Sequence, residues 1–88
     1  MSTLPVIDLI ATGQNIAKKR KHAGYSVRQM QKILGFSTLQ AIYKWQRGES
    51  LPSIDNLAVL AVVLNVKMDD IIVYKTPEAP PEPTPEES

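Results

Sequence analysis

The 88-residue chain has no cysteine and a single histidine, His22. The first absence excludes disulfide staples and thiolate metal sites; the second excludes a histidine-based zinc site and a Ser-His catalytic pair. No apolar run approaches the length of a membrane span, and Met1-Ser2-Thr3 lacks the basic start of a signal peptide. The expectation is a soluble, cytoplasmic protein. Acidic residues are missing from the middle of the chain: all nine lie at or before Asp8 or at or after Glu49. They are scattered or sit near the C-terminus, and none is placed as a base beside a nucleophile, so an enzyme is not expected. Nor is a metal, a cofactor or a small-molecule substrate, because a core this small cannot enclose a ligand pocket.

Where acids are missing, bases gather. Lys18, Lys19, Arg20, Lys21, Arg28, Lys32, Lys44 and Arg47 fall between Asp8 and Glu49 with no negative charge among them. Residues 1–75 carry ten basic and five acidic residues, a charge of +5, whereas residues 76–88 carry −4, which leaves the formal +1 of the whole. The positive block surrounds the most structured stretch of the sequence, Ser26 to Pro52. Ser26 followed by Gln29 has the spacing of a capping box, and Ser37 followed by Gln40 repeats it. Gly35 and Gly48 are natural helix stops. Met30, Ile33 and Leu34 give the first helix an apolar edge; Leu39, Ile42 and Trp45 give one to the second. Two short capped helices with a tight break make a helix-turn-helix, and basic residues around that motif are the footprint of a phosphate binder.

The flanking segments complete an all-α reading, a five-helix domain. LPVIDLI, residues 4–10, is short and rich in β-branched residues, which predicts an extended arm or short strand. Thr12 is then expected to cap a helix to about Ala23, with Ile16 and Ala17 inward and His22 on the surface near its end. Ser53 is expected to cap a helix from Ile54 to about Leu64, with Leu57, Leu60, Ala61 and Leu64 inside and Val59, Val62 and Val63 outside. Asn65 is its C-cap; Met68 to Ile72 suggests a fifth helix, and IIVYK an extended run. From Thr76, five prolines and four glutamates predict a disordered tail. The expected organisation is an arm over 1–12, a helix-turn-helix domain over 13–75 and the tail over 76–88.

The succession Ile16, Arg20, Gly24, Ser26, Met30, Leu34-Gly35, Ser37, Ile42, Trp45, Gly48, Pro52, Leu57, Ala61, Leu64, Val66, Ile71 resembles the Cro/phage-repressor-like helix-turn-helix domain of the xenobiotic-response-element family. QAIYKWQRGESLP, residues 40–52, is similar to small transcriptional regulators of Gram-positive bacteria. Four departures stand out against that pattern. Gln31 occupies a position where the family carries a small residue, and the count from Gly35 to Ile42 is one longer; a longer turn would open the helix pair and make room for the glutamine. Val27 replaces the polar residue that reaches a phosphate, so Arg28 or Gln29 must take that role. Gln46 replaces the acid that pairs with the first-helix arginine, here Arg20, which leaves a hydrogen bond without its ionic part.

The resemblance implies a sequence-specific transcriptional regulator that binds double-stranded DNA with helix 38–47 in the major groove. Thr38, Gln40, Ala41 and Lys44 are the candidate base readers: glutamine for adenine, lysine for guanine or phosphate, the other two for a thymine methyl. Gln40 has a rival role as the cap partner of Ser37. Arg28, Gln29, Lys32, Tyr43 and Arg47 are the candidate phosphate contacts; Tyr43 has the alternative of packing on helix 26–34. Lys18 to Lys21 either contribute from one side or are solvated. One domain covers few base pairs, so a homodimer on a pseudo-palindromic operator is expected, through Val59, Val62, Val63 and the terminal apolar segments. Coverage of that stripe by the terminal segments of the same chain is the alternative. The competing function is a protein-interaction module of antitoxin or anti-repressor type built on the same fold.

Overall fold

Helix ends leave backbone groups free, and the side chains that satisfy them decide where each helix starts. In the computed structural model, which describes residues 6–75, the first helix α1 spans Leu9–Ala23. Asp8 starts it: its Oδ1 accepts the Ala11 N–H at 2.9 Å from an extended backbone. The Asp8 N–H is itself held by the Val73 carbonyl at 2.8 Å. Thr12 is therefore not the cap. It lies a turn inside α1, 1% exposed, and its hydroxyl donates to the Val73 carbonyl at 3.3 Å and accepts the Val73 N–H at 2.9 Å. The extended arm shrinks accordingly: among the described residues it is strand β1, Val6–Ile7, antiparallel to β2, Tyr74–Lys75, with Val6 opposite Lys75 and Ile7 opposite Tyr74.

The other helices follow their local cues more closely. α2 spans Val27–Leu34, α3 Gln40–Arg47, α4 Ile54–Leu64 and α5 Met68–Ile71. Ser26 and Ser53 cap α2 and α4, and Gly35, Gly48 and Asn65 end their helices in the left-handed region. α3 begins two residues later than expected, at Gln40, and the Ser37/Gln40 box does not form: Leu39 holds the N-cap position without a side-chain bond.

The core is the one the apolar stripes outline. Ile16, Met30, Ile42, Trp45, Leu57, Leu60, Ala61, Leu64 and Ile71 are buried together. Ile33 is a correction: placed on the inner edge of its helix, it is 43% exposed, while Leu34 packs against the core. On α4, Val63 also packs against the core, and Val59 and Val62 stay outside. Asn15 ties α1 to α5, its amide donating to the carbonyls of Asp70 at 2.7 Å and Ile71 at 2.9 Å. Among the described residues no helix is long and apolar enough to cross a membrane. The expectations for residues 1–5 and for the tail, 76–88, lie outside the described residues.

Candidate nucleic-acid interface

The reading surface starts from α2, whose entry is fixed twice over. The Ser26 hydroxyl accepts the Gln29 N–H at 3.1 Å, and the Gln29 Oε1 accepts the Ser26 N–H at 2.7 Å, which is the reciprocal arrangement of a capping box. Its exit is fixed by Gly35 at φ 74°, with the Phe36 N–H returning to the Gln31 carbonyl at 3.0 Å. Gln31 then explains its own presence in place of a small residue. Its side-chain amide donates to the Phe36 carbonyl at 3.1 Å, so the glutamine braces the lengthened turn from within. Phe36 meets Trp45 edge to face, ring centroids 5.7 Å apart at 70°, an arrangement that aromatic quadrupoles favour.

That turn delivers the chain to α3, and α1 holds α3 in place from behind. Trp45 is 4% exposed and Ile42 2%. Gly13 lies where α1 crosses the end of α3: a Cβ there would stand 2.1 Å from the Trp45 carbonyl oxygen and 2.9 Å from that of Gln46. No side chain fits, so this glycine sets the approach of the two helices. Arg20 locks the same crossing, its Nε donating to Gln46 Oε1 at 3.0 Å and a terminal nitrogen to the Tyr25 carbonyl at 2.8 Å. Gln46 thus keeps the link to the first-helix arginine, as a neutral acceptor. Neither Gly13 nor the cross-chain role of Thr12 had been singled out in the sequence. The available signal was a glycine inside a helix, a costly choice without a packing reason, and placing the helix start at Thr12 hid it.

With its inner face committed to the core, α3 turns Gln40, Tyr43, Lys44 and Arg47 outward, all exposed. Ala41 is half-buried and packs against the core, which puts it at the margin of that face. Thr38 is exposed in the turn, and its hydroxyl accepts the Gln40 N–H at 3.4 Å, a weak helix start. The Gln40 side chain has no cap to serve, and among the described residues nothing bonds its amide. Tyr43, at 41% exposure, is open to solvent on the same face. On α2, Arg28, Gln29 and Lys32 are exposed. The Gln29 carbonyl oxygen is spent in the cap, leaving its N–H2 to donate. Val27 packs against the core and takes no part.

The positive block of α1 divides. Arg20 is structural, whereas Lys18, Lys19 and His22 line a shallow cleft of about 290 Å3 with Asn15, Leu64 and Val66. One partner on the face itself was missed. Arg47 forms an ion pair with Glu49, just past the Gly48 stop. The Arg47 hydrogen bond first, then the charges of Arg47 and Lys44, hold the Glu49 carboxyl below its ordinary pKa. The signal was its position as the first acid to close the basic run.

A glycine-stopped helix, a braced turn and a second helix with a polar, cationic outer face, all held by a preceding helix, define a repressor-like helix-turn-helix domain. The family model described as Helix-turn-helix matches residues 16–71, and the chain belongs to that family. In fold it is similar to the restriction-modification controller protein C.AhdI from Aeromonas hydrophila, at 23% identity and a TM-score of 0.64, over 73% of this chain and 96% of that one. It is similar also to the DNA-binding domain of BldD, at 18% identity and a TM-score of 0.63, over 83% of this chain and all of that one. No curated protein matches the sequence.

Proposed function

We propose that the protein is a sequence-specific DNA-binding transcription regulator that places α3 in the major groove of an operator. The observation that carries this is the exposed row Arg28, Lys32, Lys44 and Arg47 on the two helices of the motif, with the Gln40 amide unclaimed among them. Gln40 and Lys44 are the base readers, with Thr38 beside them and Ala41 at the edge. Arg28, Lys32, Tyr43 and Arg47, with the free N–H2 of Gln29, grip phosphates and set the register. Family membership supports the reading, as do a controller protein and a DNA-binding domain among the structures of similar fold. A cytoplasmic location goes with it.

A homodimer belongs to the same proposal. Val62 is 80% exposed and Ile54 72%, on a helix whose other side fills the core. The strands β1 and β2 pair with each other and leave Val62 open, so they do not cover the stripe. Two copies joined there would present two α3 helices to two half-sites, the geometry that gives a domain of this size useful discrimination. The same open face favours the second reading, a module that grips another protein. Selection of bound duplexes from a random pool decides between them. A recovered palindrome supports the dimeric regulator; a pool that stays random after repeated rounds supports the interaction module.

A further inference from the structure

Glu49 is the one acidic residue between Asp8 and Asp55. It follows Gly48, and its N–H donates to the Lys44 carbonyl at 2.9 Å, a bond that folds the chain back over the last turn of α3. There its carboxylate meets the Arg47 guanidinium, both side chains about half exposed. A carboxylate offers a guanidinium the same negative charge and paired oxygens that a phosphate does. We infer that Glu49 is a specificity-determining residue, an internal stand-in for a DNA phosphate that occupies Arg47 until α3 is seated on its operator.

The argument rests on the DNA-binding reading and goes one step past it. Phosphate contacts carry no sequence information and strengthen random and operator binding alike. On random DNA α3 is not held by base contacts, so no phosphate stays in front of Arg47 long enough to displace a carboxylate tethered two residues away. On the operator, base contacts fix α3, and the nearby phosphate competes at high effective concentration. Glu49 therefore withdraws one contact from random DNA and leaves the operator complex nearly whole. The lowered pKa of its carboxyl agrees with this arrangement, since it keeps Glu49 charged and beside Arg47 at neutral pH.

The test compares the full-length wild type with Glu49→Gln, Arg47→Ala and the double variant, on a random-sequence duplex and on the selected operator, across a salt series. Glu49→Gln is expected to bind the random duplex about two- to fivefold tighter, the range an exposed ion pair spans. Its plot of log affinity against log salt should steepen by about 0.9, one more phosphate neutralised. Operator affinity should change less, so discrimination falls. In the Arg47→Ala background the same substitution should leave the slope unchanged. Equal tightening with and without Arg47 would reduce Glu49 to a general charge effect and overturn the inference, as would no change or weaker binding. A wild type that fails to bind the random duplex at low salt overturns the DNA-binding reading as well; one that binds, with Glu49→Gln indistinguishable from it, overturns this inference alone.

Discussion

Ser26 and Ser37 each stand three residues ahead of a glutamine, and the two helices that follow use the pair in opposite ways. At α2 the box closes: serine and glutamine satisfy each other's backbone N–H, and Gln29 becomes part of the fold. At α3 it stays open. Phe36 is pinned to Gln31 through both its N–H and its carbonyl, and its ring is set against Trp45. With the start of the turn committed, the chain runs through Ser37 to Leu39 irregularly and enters the helix at Gln40. A cap is worth about 1 kcal/mol, less than burial of the aromatic pair, so packing wins over local preference. The consequence is functional. The glutamine that lost its cap is the one left free on the outer face.

The largest effect expected on this contrast comes from its anchor. Trp45→Ala removes the ring against which Phe36 and the turn are set, and large aromatic truncations in cores cost roughly 3–5 kcal/mol. Against a total of about 5–10 kcal/mol for a small domain, the variant should melt tens of degrees lower or not fold cooperatively. A thermal melt close to wild type would mean that something other than the ring holds α3.

Next come the two glutamines themselves. Gln40→Ala, and with it Lys44→Ala, should cost about 1–3 kcal/mol in discrimination between operator and random duplex while the melt stays put. Gln29→Ala should do the reverse, lowering the melt and leaving discrimination alone. Binding titrations on both duplexes, paired with calorimetry, separate the outcomes. Equal losses on both duplexes for Gln40→Ala would remove α3 from the role of reader.

Much of this was legible because it is local. Ser26 and Ser53 as caps, the glycine stops, and the stripes through Ile42 and Trp45 or Leu57 and Leu64 are all written within one helix turn of where they act. What was hidden is long-range. Asp8 and Thr12 are both good N-caps, and only Val73, far along the chain, decides between them by holding the Asp8 N–H and claiming the Thr12 hydroxyl. Gly13 has meaning only once α3 lies across it. Ile33 sits on the apolar side of its own helix, yet that side extends past the core's edge. On the outer face, the sequence pattern identified the cationic row but not the pairing of Arg47 with Glu49, because a charge two residues beyond a glycine stop is brought back only by the left-handed turn.

The smallest effect is the sharpest comparison. Ser26→Ala deletes an acceptor that the Gln29 N–H uses, and it leaves the returning Gln29 side chain without its reciprocal partner. Cap losses of this kind cost about 1 kcal/mol, with a range of about 0.5–2. Ser37→Ala deletes the same hydroxyl at the same spacing from a glutamine, but Ser37 is exposed in the turn and no helix N–H depends on it. Exposed substitutions away from caps stay within about 0.5 kcal/mol. Urea melts of the two variants should therefore differ in midpoint, with Ser26→Ala clearly lower and Ser37→Ala overlying wild type. If Ser37→Ala fell as far as Ser26→Ala, the second box would have to form in solution. Gln40 would then be a structural residue like Gln29, and Lys44 would be left as the principal reader on α3.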